Sequence, residues 1–469
     1  MSDDHVENNL RLFLDPAGRR RHVEWRLVAW DDVRPPIGND ADSAITVYSF
    51  TRRNFMSYVL FPFYAKRWRL PAVARKVLYI NDGLLSSLFD SKESAGYRIF
   101  AAHHLPRPNR LRQRLIALLP LSLRADRRFV VVGGSGGDRG LVSTGEDISF
   151  ERQNFMFYSN APGKLLLTNT TTLRSGTGWI IKTTANPAYA EVMDKEFSLM
   201  KLLADECGED GCLPRPGRRI AINGRLFFTE EYVKGESLRE DIRKFAYKQQ
   251  TYKICSCLDQ LDGWFRKYCA GFTGEPQKLA ACYEELFKVF TDRYGARRET
   301  QRILACARQS VIRMDLYYRG IGTITAHNDL WPGNFVVTSD RLVAVDWERA
   351  VGNRAPLFDY YWMIISATLE FLASYCESFD YSAAFRIFLA DSDDVSRHAH
   401  GKLKDFLGRN ALDRKMHSRF LLLFLMEWSV QGYLTFGRET AMDRLAYGEL
   451  LNYADLLFNS PTNRRAVTN

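Results

Sequence analysis

Residues 325–348 read TAHNDLWPGNFVVTSDRLVAVDWE, and they decide how the rest of the chain is read. His327, Asp329 and Asn334 form an H-x-D-x4-N run. Two apolar triplets or quartets follow, Phe335-Val336-Val337 and Leu342-Val343-Ala344-Val345, separated by Thr338-Ser339-Asp340-Arg341. Apolar runs divided by turn-forming residues predict a β-hairpin. A hairpin returns the chain to its start, so Asn334 and Asp346 are expected side by side at its mouth. One carboxylate and one amide oxygen suit Mg²⁺, a hard cation that takes oxygen ligands and keeps waters and phosphates in its remaining positions. Asp329, on the loop just before, is placed to receive the proton of an attacking hydroxyl. Those are the parts of a phosphoryl transfer, in which the protein positions an acceptor and a metal bridging phosphates and does little covalent work.

The stretch resembles the aminoglycoside phosphotransferase and choline kinase-like families, relatives of the protein kinases. Their catalytic loop reads H-x-D-x-x-P-x-N and is followed by a strand ending in Asp. Here the match is His327-x-Asp329-Leu330-Trp331-Pro332-Gly333-Asn334, then Asp346-Trp347-Glu348, with Asp346 12 residues after Asn334. The resemblance implies that Asp329 is the catalytic base, that His327 braces the loop, and that Asn334 and Asp346 hold magnesium. It also implies an α+β, bilobal protein kinase-like fold with an antiparallel-sheet N-lobe and a mostly helical C-lobe. In this chain a small α/β domain precedes those lobes. The expected boundaries are 1–148 for the front domain, 149–233 for the N-lobe and 234–469 for the C-lobe.

Upstream of the motif, residues 154–182 carry three strand-like pieces: Phe155–Tyr158, Lys164–Thr168 and Trp179–Lys182. They resemble the first three strands of a kinase N-lobe, and Lys182 then stands where a lysine contacts the α- and β-phosphates. A lysine at the end of an apolar strand needs a carboxylate partner when buried. Glu196, on the helix predicted over Ala190–Leu203, is one candidate and Glu191 is the other. The Ser159–Gly163 loop departs from the protein-kinase glycine pattern and is read either as a phosphate cover or as a plain turn. Asn223-Gly224 predicts a second tight hairpin between Arg219–Ile222 and Leu226–Tyr232. Its end resembles the family hinge, so adenine is expected against Glu231, Tyr232 and Val233. Helical spacing of apolar residues marks 237–247, 254–268, 277–293 and 300–318. Asp359 is expected either to anchor the catalytic loop or to cap the helix it opens.

The chain has 469 residues, 46% hydrophobic and 13% aromatic, which fits globular domains and excludes a disordered chain. Its net charge of +10 is uneven: residues 1–150 hold 23 Lys and Arg against 16 Asp and Glu, and the rest 42 against 39. The basic points at 19–21, 66–69 and 107–114 suit either a phosphate-rich partner, anionic lipid at a membrane surface or nucleic acid, or else a solvated face with inter-domain salt bridges. No nucleic-acid-binding motif is present, and no nucleic-acid partner is expected. In this front part, His22–Trp30, Ala44–Phe50 and Phe129–Gly133 read as strands. Ala72–Ile80, Leu84–Phe89 and Leu111–Leu119 read as helices. Gly133–Gly140 lacks the Lys-Ser/Thr ending of a phosphate loop and reads as a connector.

Eight cysteines without paired C-x-x-C spacing, and a polar acidic Met1–Asn9, point to a reduced, cytoplasmic protein without a signal peptide or membrane span. The expected activity is ATP- and Mg²⁺-dependent phosphate transfer to a small-molecule hydroxyl: a sugar, an amino alcohol or an aminoglycoside-like compound. A nucleotide-binding scaffold without turnover is the competing expectation. A protein kinase fits poorly, because no A-P-E follows Asp346. The choice between ATP and GTP and the oligomeric state stay open.

Overall fold

The computed structural model describes residues 178–184, 187–207, 211–222, 225–270, 279–317, 323–375, 380–437 and 439–459, together with seven earlier strands. The described chain mixes strand and helix, with helix dominating after residue 235. It divides into two units, one of 1–197 with 215–234, the other of 198–214 with 235–469.

The first unit is a ten-stranded sheet. Its strands are β1 (Glu24–Ala29), β2 (Ala44–Thr51), β3 (Ala74–Asn81), β4 (Ser86–Asp90), β5 (Arg127–Val132), β6 (Met156–Asn160), β7 (Lys164–Thr168), β8 (Trp179–Thr184), β9 (Pro216–Ile222) and β10 (Arg225–Glu231). The order is β1-β2-β5-β3-β4-β6-β7-β8-β10-β9, antiparallel except for the β1/β2 pair. The strands expected at 22–30, 44–50 and 129–133 are β1, β2 and β5. Two expectations are overturned, since 72–80 and 84–89 are not helices but contribute to β3 and β4. Val77, Tyr79 and Ile80 favour a pleated surface, and β3 bonds β5 on one side and β4 on the other. The helix expected over 111–119, the 133–140 connector and residues 161–163 of the β6–β7 loop lie outside the described residues.

The β6-β7-β8 run is antiparallel, as its strand-like apolar pieces predict. β9 and β10 pair antiparallel with Ile222 opposite Arg225, and the turn expected at Asn223-Gly224 lies outside the described residues. Helix α1 (Pro187–Cys207) begins with proline, whose fixed φ and missing N–H suit the first helical position. Met193, Glu196, Met200 and Leu203 recur at helical spacing on one face and all are buried. Glu196 is thus a carboxylate set in an apolar stripe.

The second unit is mainly helical: α2 (Leu238–Tyr247), α3 (Thr251–Ala270), α4 (Leu279–Tyr294), α5 (Arg298–Tyr317), α6 (Leu357–Tyr375), α7 (Tyr381–Ala390), α8 (Asp394–Arg409), α9 (His417–Trp428), α10 (Gln431–Phe436) and α11 (Ala441–Asn459). α6 is apolar nearly all round and buried over most of its length, which makes it the central helix. Short strands complete the unit: β11 (Glu236–Ser237), β12 (Ile324–Ala326), β13 (Phe335–Val337), β14 (Leu342–Ala344) and β15 (Val351–Arg354). β13 and β14 form the predicted hairpin, with Phe335 opposite Ala344 and Val337 opposite Leu342. Aromatic contacts seat this hairpin on the helices. Phe335 meets Trp264 of α3 edge-on at 5.0 Å between ring centres, and Trp347 lies 5.7 Å from Tyr268. Cys212, Cys255, Cys257, Cys269 and Cys306 are thiols not joined in disulfides. Among the described residues no helix is long and apolar enough to cross a membrane.

Candidate functional site

The loop between β12 and β13 is held from below by Asp359, near the start of α6. Its carboxylate accepts the backbone N–H of His327 at 2.6 Å and of Asn328 at 2.8 Å. Asp359 is fully buried, and burial pushes its carboxyl up to about 7 despite those two hydrogen bonds. Arg354, in turn paired with the buried Glu427 at 2.6 Å, offsets part of the Asp359 charge. Asp359 therefore anchors the loop, and its place at the head of a helix is incidental to that. His327 is also buried: its Nε2–H donates to the Val345 carbonyl at 3.1 Å, and its ring lies 4.5 Å from that of Trp347. A ring enclosed on these sides braces the loop against the hairpin.

Asn334 ends a 3₁₀ turn over Pro332–Asn334. Its Nδ2 donates to the Asp329 carbonyl at 2.9 Å and to the Asp329 carboxylate at 3.2 Å. With the nitrogen committed, the amide oxygen is the atom available to a cation. Gly333 is required here, since a Cβ would lie 2.3 Å from the Trp331 ring folded over it. The Trp331 ring also carries the Arg239 guanidinium, 4.9 Å from the ring centre.

Across the hairpin mouth, the Val345 N–H donates to the Asn334 carbonyl at 2.8 Å, which brings Asp346 next to Asn334 along the backbone. Asp346 is left-handed, with φ 68° and ψ 60°, a conformation few non-glycine residues adopt. Such strain concentrates at functional sites. Among the described residues no group of three or more His, Cys, Asp and Glu is placed to hold a metal. The donors present, one Asp and one Asn, fit a cation that draws its other ligands from phosphate and water.

Asp329 retains 21% of its side-chain surface. Burial pushes its carboxyl up to about 7; the Arg349 guanidinium, 3.4 Å away, and Asn334 pull it down, while Asp346 and Glu348 push it up. A carboxylate balanced near neutrality is suited to general-base work.

In the first unit Lys182 of β8 is 6% exposed, and its ammonium lies 2.7 Å from Glu196. Of the two acids considered from sequence, Glu196 makes the pair, while Glu191 is exposed. A second acid was not anticipated: Glu230 of β10 lies 2.5 Å from the same ammonium. Lys182 stands opposite Phe228, so Glu230, two residues on, shares its face as a diagonal cross-strand neighbour. At the end of β10, the Glu231 N–H donates to the Arg215 carbonyl and the Tyr232 N–H to the Gly178 carbonyl, both at 2.9 Å. The next amide, that of Val233, makes no backbone hydrogen bond among the described residues.

No known family profile matches the chain, and no curated protein matches it. Among solved structures it is similar to the ternary complex of APH(2″)-IIa with streptomycin and ATP, at 12% identity over 64% of this chain and 92% of that one, with a TM-score of 0.37. It is also similar to the spectinomycin phosphotransferase APH(9)-Ia, bound to ADP and spectinomycin, at 12% identity over 66% and 88%, with a TM-score of 0.26. Similarity at that level leaves the function of this chain to be read from its own residues.

Proposed function

We propose that the chain is an ATP- and Mg²⁺-dependent phosphotransferase of the bilobal, kinase-like kind, acting on a hydroxyl of a small molecule such as a sugar, an amino alcohol or an aminoglycoside-like compound. The observation that carries this reading is the Asn334 side chain. Its amide nitrogen is committed to Asp329, so its oxygen is the atom left for a cation at the mouth of the hairpin that delivers Asp346. Asp329 accepts the proton of the substrate hydroxyl as that oxygen takes up the phosphoryl group and ADP departs. Asn334 and Asp346 hold Mg²⁺, which when bound neutralises charge on the phosphates. Lys182 contacts the triphosphate, and Glu196 and Glu230 hold its ammonium in place. At the hinge, the Val233 N–H and the Glu231 and Val233 carbonyls meet the adenine edge, with Tyr232 lining it. His327 keeps the loop in register. Most of the rate gain then comes from positioning and charge neutralisation.

The front 148 residues, where most of the surplus positive charge lies, are proposed as a domain that carries five strands of the first unit's sheet. The test is a transfer screen with γ-labelled ATP and purified full-length chain over sugars, amino alcohols and aminoglycosides. Magnesium-dependent labelling of a small molecule supports the reading. Tight ATP binding with no turnover of any kind would favour the non-catalytic scaffold.

A further inference from the structure

Two buried amide oxygens next to the catalytic loop are left without partners. Asn328, the residue before Asp329, is 7% exposed and holds a positive φ of 61°. Three of its four polar groups are engaged. Its N–H donates to Asp359 at 2.8 Å, its Nδ2 to the Arg349 carbonyl at 3.0 Å, and its own carbonyl accepts from Gln431 Nε2 at 3.4 Å. The fourth group, Oδ1, is buried and has no hydrogen-bond partner among the described residues. Gln431, the first residue of α10 and distant in sequence, repeats the pattern: Nε2 is spent on Asn328 while Oε1 is buried and unpartnered.

Buried side-chain oxygens are normally satisfied, and each exception needs a reason. Turning either amide over does not remove the problem. A flipped Asn328 would set its oxygen against the Arg349 carbonyl, and a flipped Gln431 would oppose the Asn328 carbonyl. Both orphan atoms are acceptors, so what they call for is a donor.

We propose that Asn328 Oδ1 and Gln431 Oε1 receive a hydrogen-bond donor of the small-molecule substrate, a second hydroxyl or an ammonium near the hydroxyl presented to Asp329. The role of Asp329 in this proposal rests on the phosphotransfer reading. The chemistry is selective. A carboxylate or phosphate at this point would face two further oxygens, whereas a polyol or amino alcohol offers what the pair lacks. A substrate without the second donor leaves both acceptors unpaired, which is the strongest form of discrimination a polar site makes.

The test measures binding before turnover. Full-length chain is titrated with ethanolamine, glycerol and glucose, with 1-propanol as the single-hydroxyl control, and binding is followed by thermal shift and calorimetry. The expected result is saturable binding of at least one probe carrying two donors and none of 1-propanol, with at least tenfold weaker binding to Gln431→Leu. Gln431→Met, close to glutamine in length and without a polar end, is expected to show the same loss. It also serves as the reading if the leucine variant does not fold. Undiminished probe binding by a folded Gln431→Leu chain overturns the proposal. So does the absence of binding by the unaltered chain, which would mean that the two oxygens hold solvent only. Phosphate transfer to the bound probe is read separately. Binding that depends on Gln431 without any transfer overturns the role given to Asp329 and leaves the donor site standing.

Discussion

Replacing Lys182 by methionine removes a cation that two carboxylates share. The ammonium lies 2.7 Å from Glu196 and 2.5 Å from Glu230, and the three side chains are 7%, 2% and 13% exposed. Removing one member of a buried ion pair costs about 3–5 kcal/mol, because the remaining charge is left unpaired in a medium that solvates it poorly. Here two like charges remain around one vacated position, so the upper end of that range applies at pH 8. Neutralising either acid instead, by Glu196→Gln or Glu230→Gln, leaves the lysine its other carboxylate and a neutral amide oxygen. That loss is about 1–2 kcal/mol.

The Lys182→Met defect should also shrink on acidification. Without the lysine, burial and mutual repulsion raise the Glu196 and Glu230 carboxyls in the folded variant, so the folded chain gains stability as pH falls through them. The assay is urea-induced unfolding of the full-length variants at pH 8 and pH 6, and the Lys182→Met/Glu196→Gln double variant completes the cycle. About 2 kcal/mol of the single-variant costs should cancel in the double variant, as expected for groups in direct contact. The reasoning is refuted if Lys182→Met is no less stable than Glu196→Gln at pH 8, or if Glu230→Gln has no effect.

Three further outcomes are expected. Asp329→Ala should lower turnover by about 10²–10⁴-fold, the usual worth of a positioned base, with nucleotide affinity measured by calorimetry nearly unchanged; retained turnover would remove Asp329 from its role. Gly333→Ala should cost about 1–3 kcal/mol and reduce turnover, because its methyl group displaces the Trp331 ring on which Arg239 packs; an unchanged melting temperature would contradict the packing. In the second unit, Tyr361 O–H donates to His417 Nδ1 at 3.2 Å, His417 Nε2–H to His400 at 2.9 Å, and His400 Nε2–H to the Phe388 carbonyl at 2.9 Å. The chain of donors requires both imidazoles neutral, and burial pulls His417 down to about 3 from 6.5. Between those values the folded state binds fewer protons than the unfolded one, so stability is full above pH 6.5 and falls as the pH is lowered. The loss is about 2 kcal/mol at pH 5, and His417→Gln should remove that share of the acid slope in urea unfolding.

What was legible in the sequence was local and periodic. The β13–β14 hairpin follows from two apolar runs around a polar turn, and the helices after residue 235 follow from apolar spacing. Glu196 was readable as a carboxylate downstream of an apolar strand ending in lysine. The misread segments show the limit of that information. Pro71 followed by Ala74-Arg75-Lys76-Val77-Leu78 carries enough helix-forming residues to imitate a helix, but pairing with β4 and β5, set by distant residues, makes it a strand. Glu230 was missed because its closeness to Lys182 depends on the β8–β10 register, which leaves no trace in either strand alone. Asn328 and Gln431 meet across helices α6 to α9. Such long-range polar pairs carry no periodic signature, and only the fold brings them together.

The central claim is that a hydroxyl oxygen of a small molecule ends up bonded to the γ-phosphorus of ATP. The most direct measurement is mass spectrometry of products after incubating the full-length chain with magnesium, a panel of sugars, amino alcohols and aminoglycosides, and ATP carrying ¹⁸O in its three terminal γ-oxygens. The account predicts one class of compound that gains a phosphoryl group with all three heavy oxygens retained, and no such product with Asp329→Ala. Label appearing only in inorganic phosphate or on the protein itself, or no magnesium-dependent consumption of ATP at all, would contradict it.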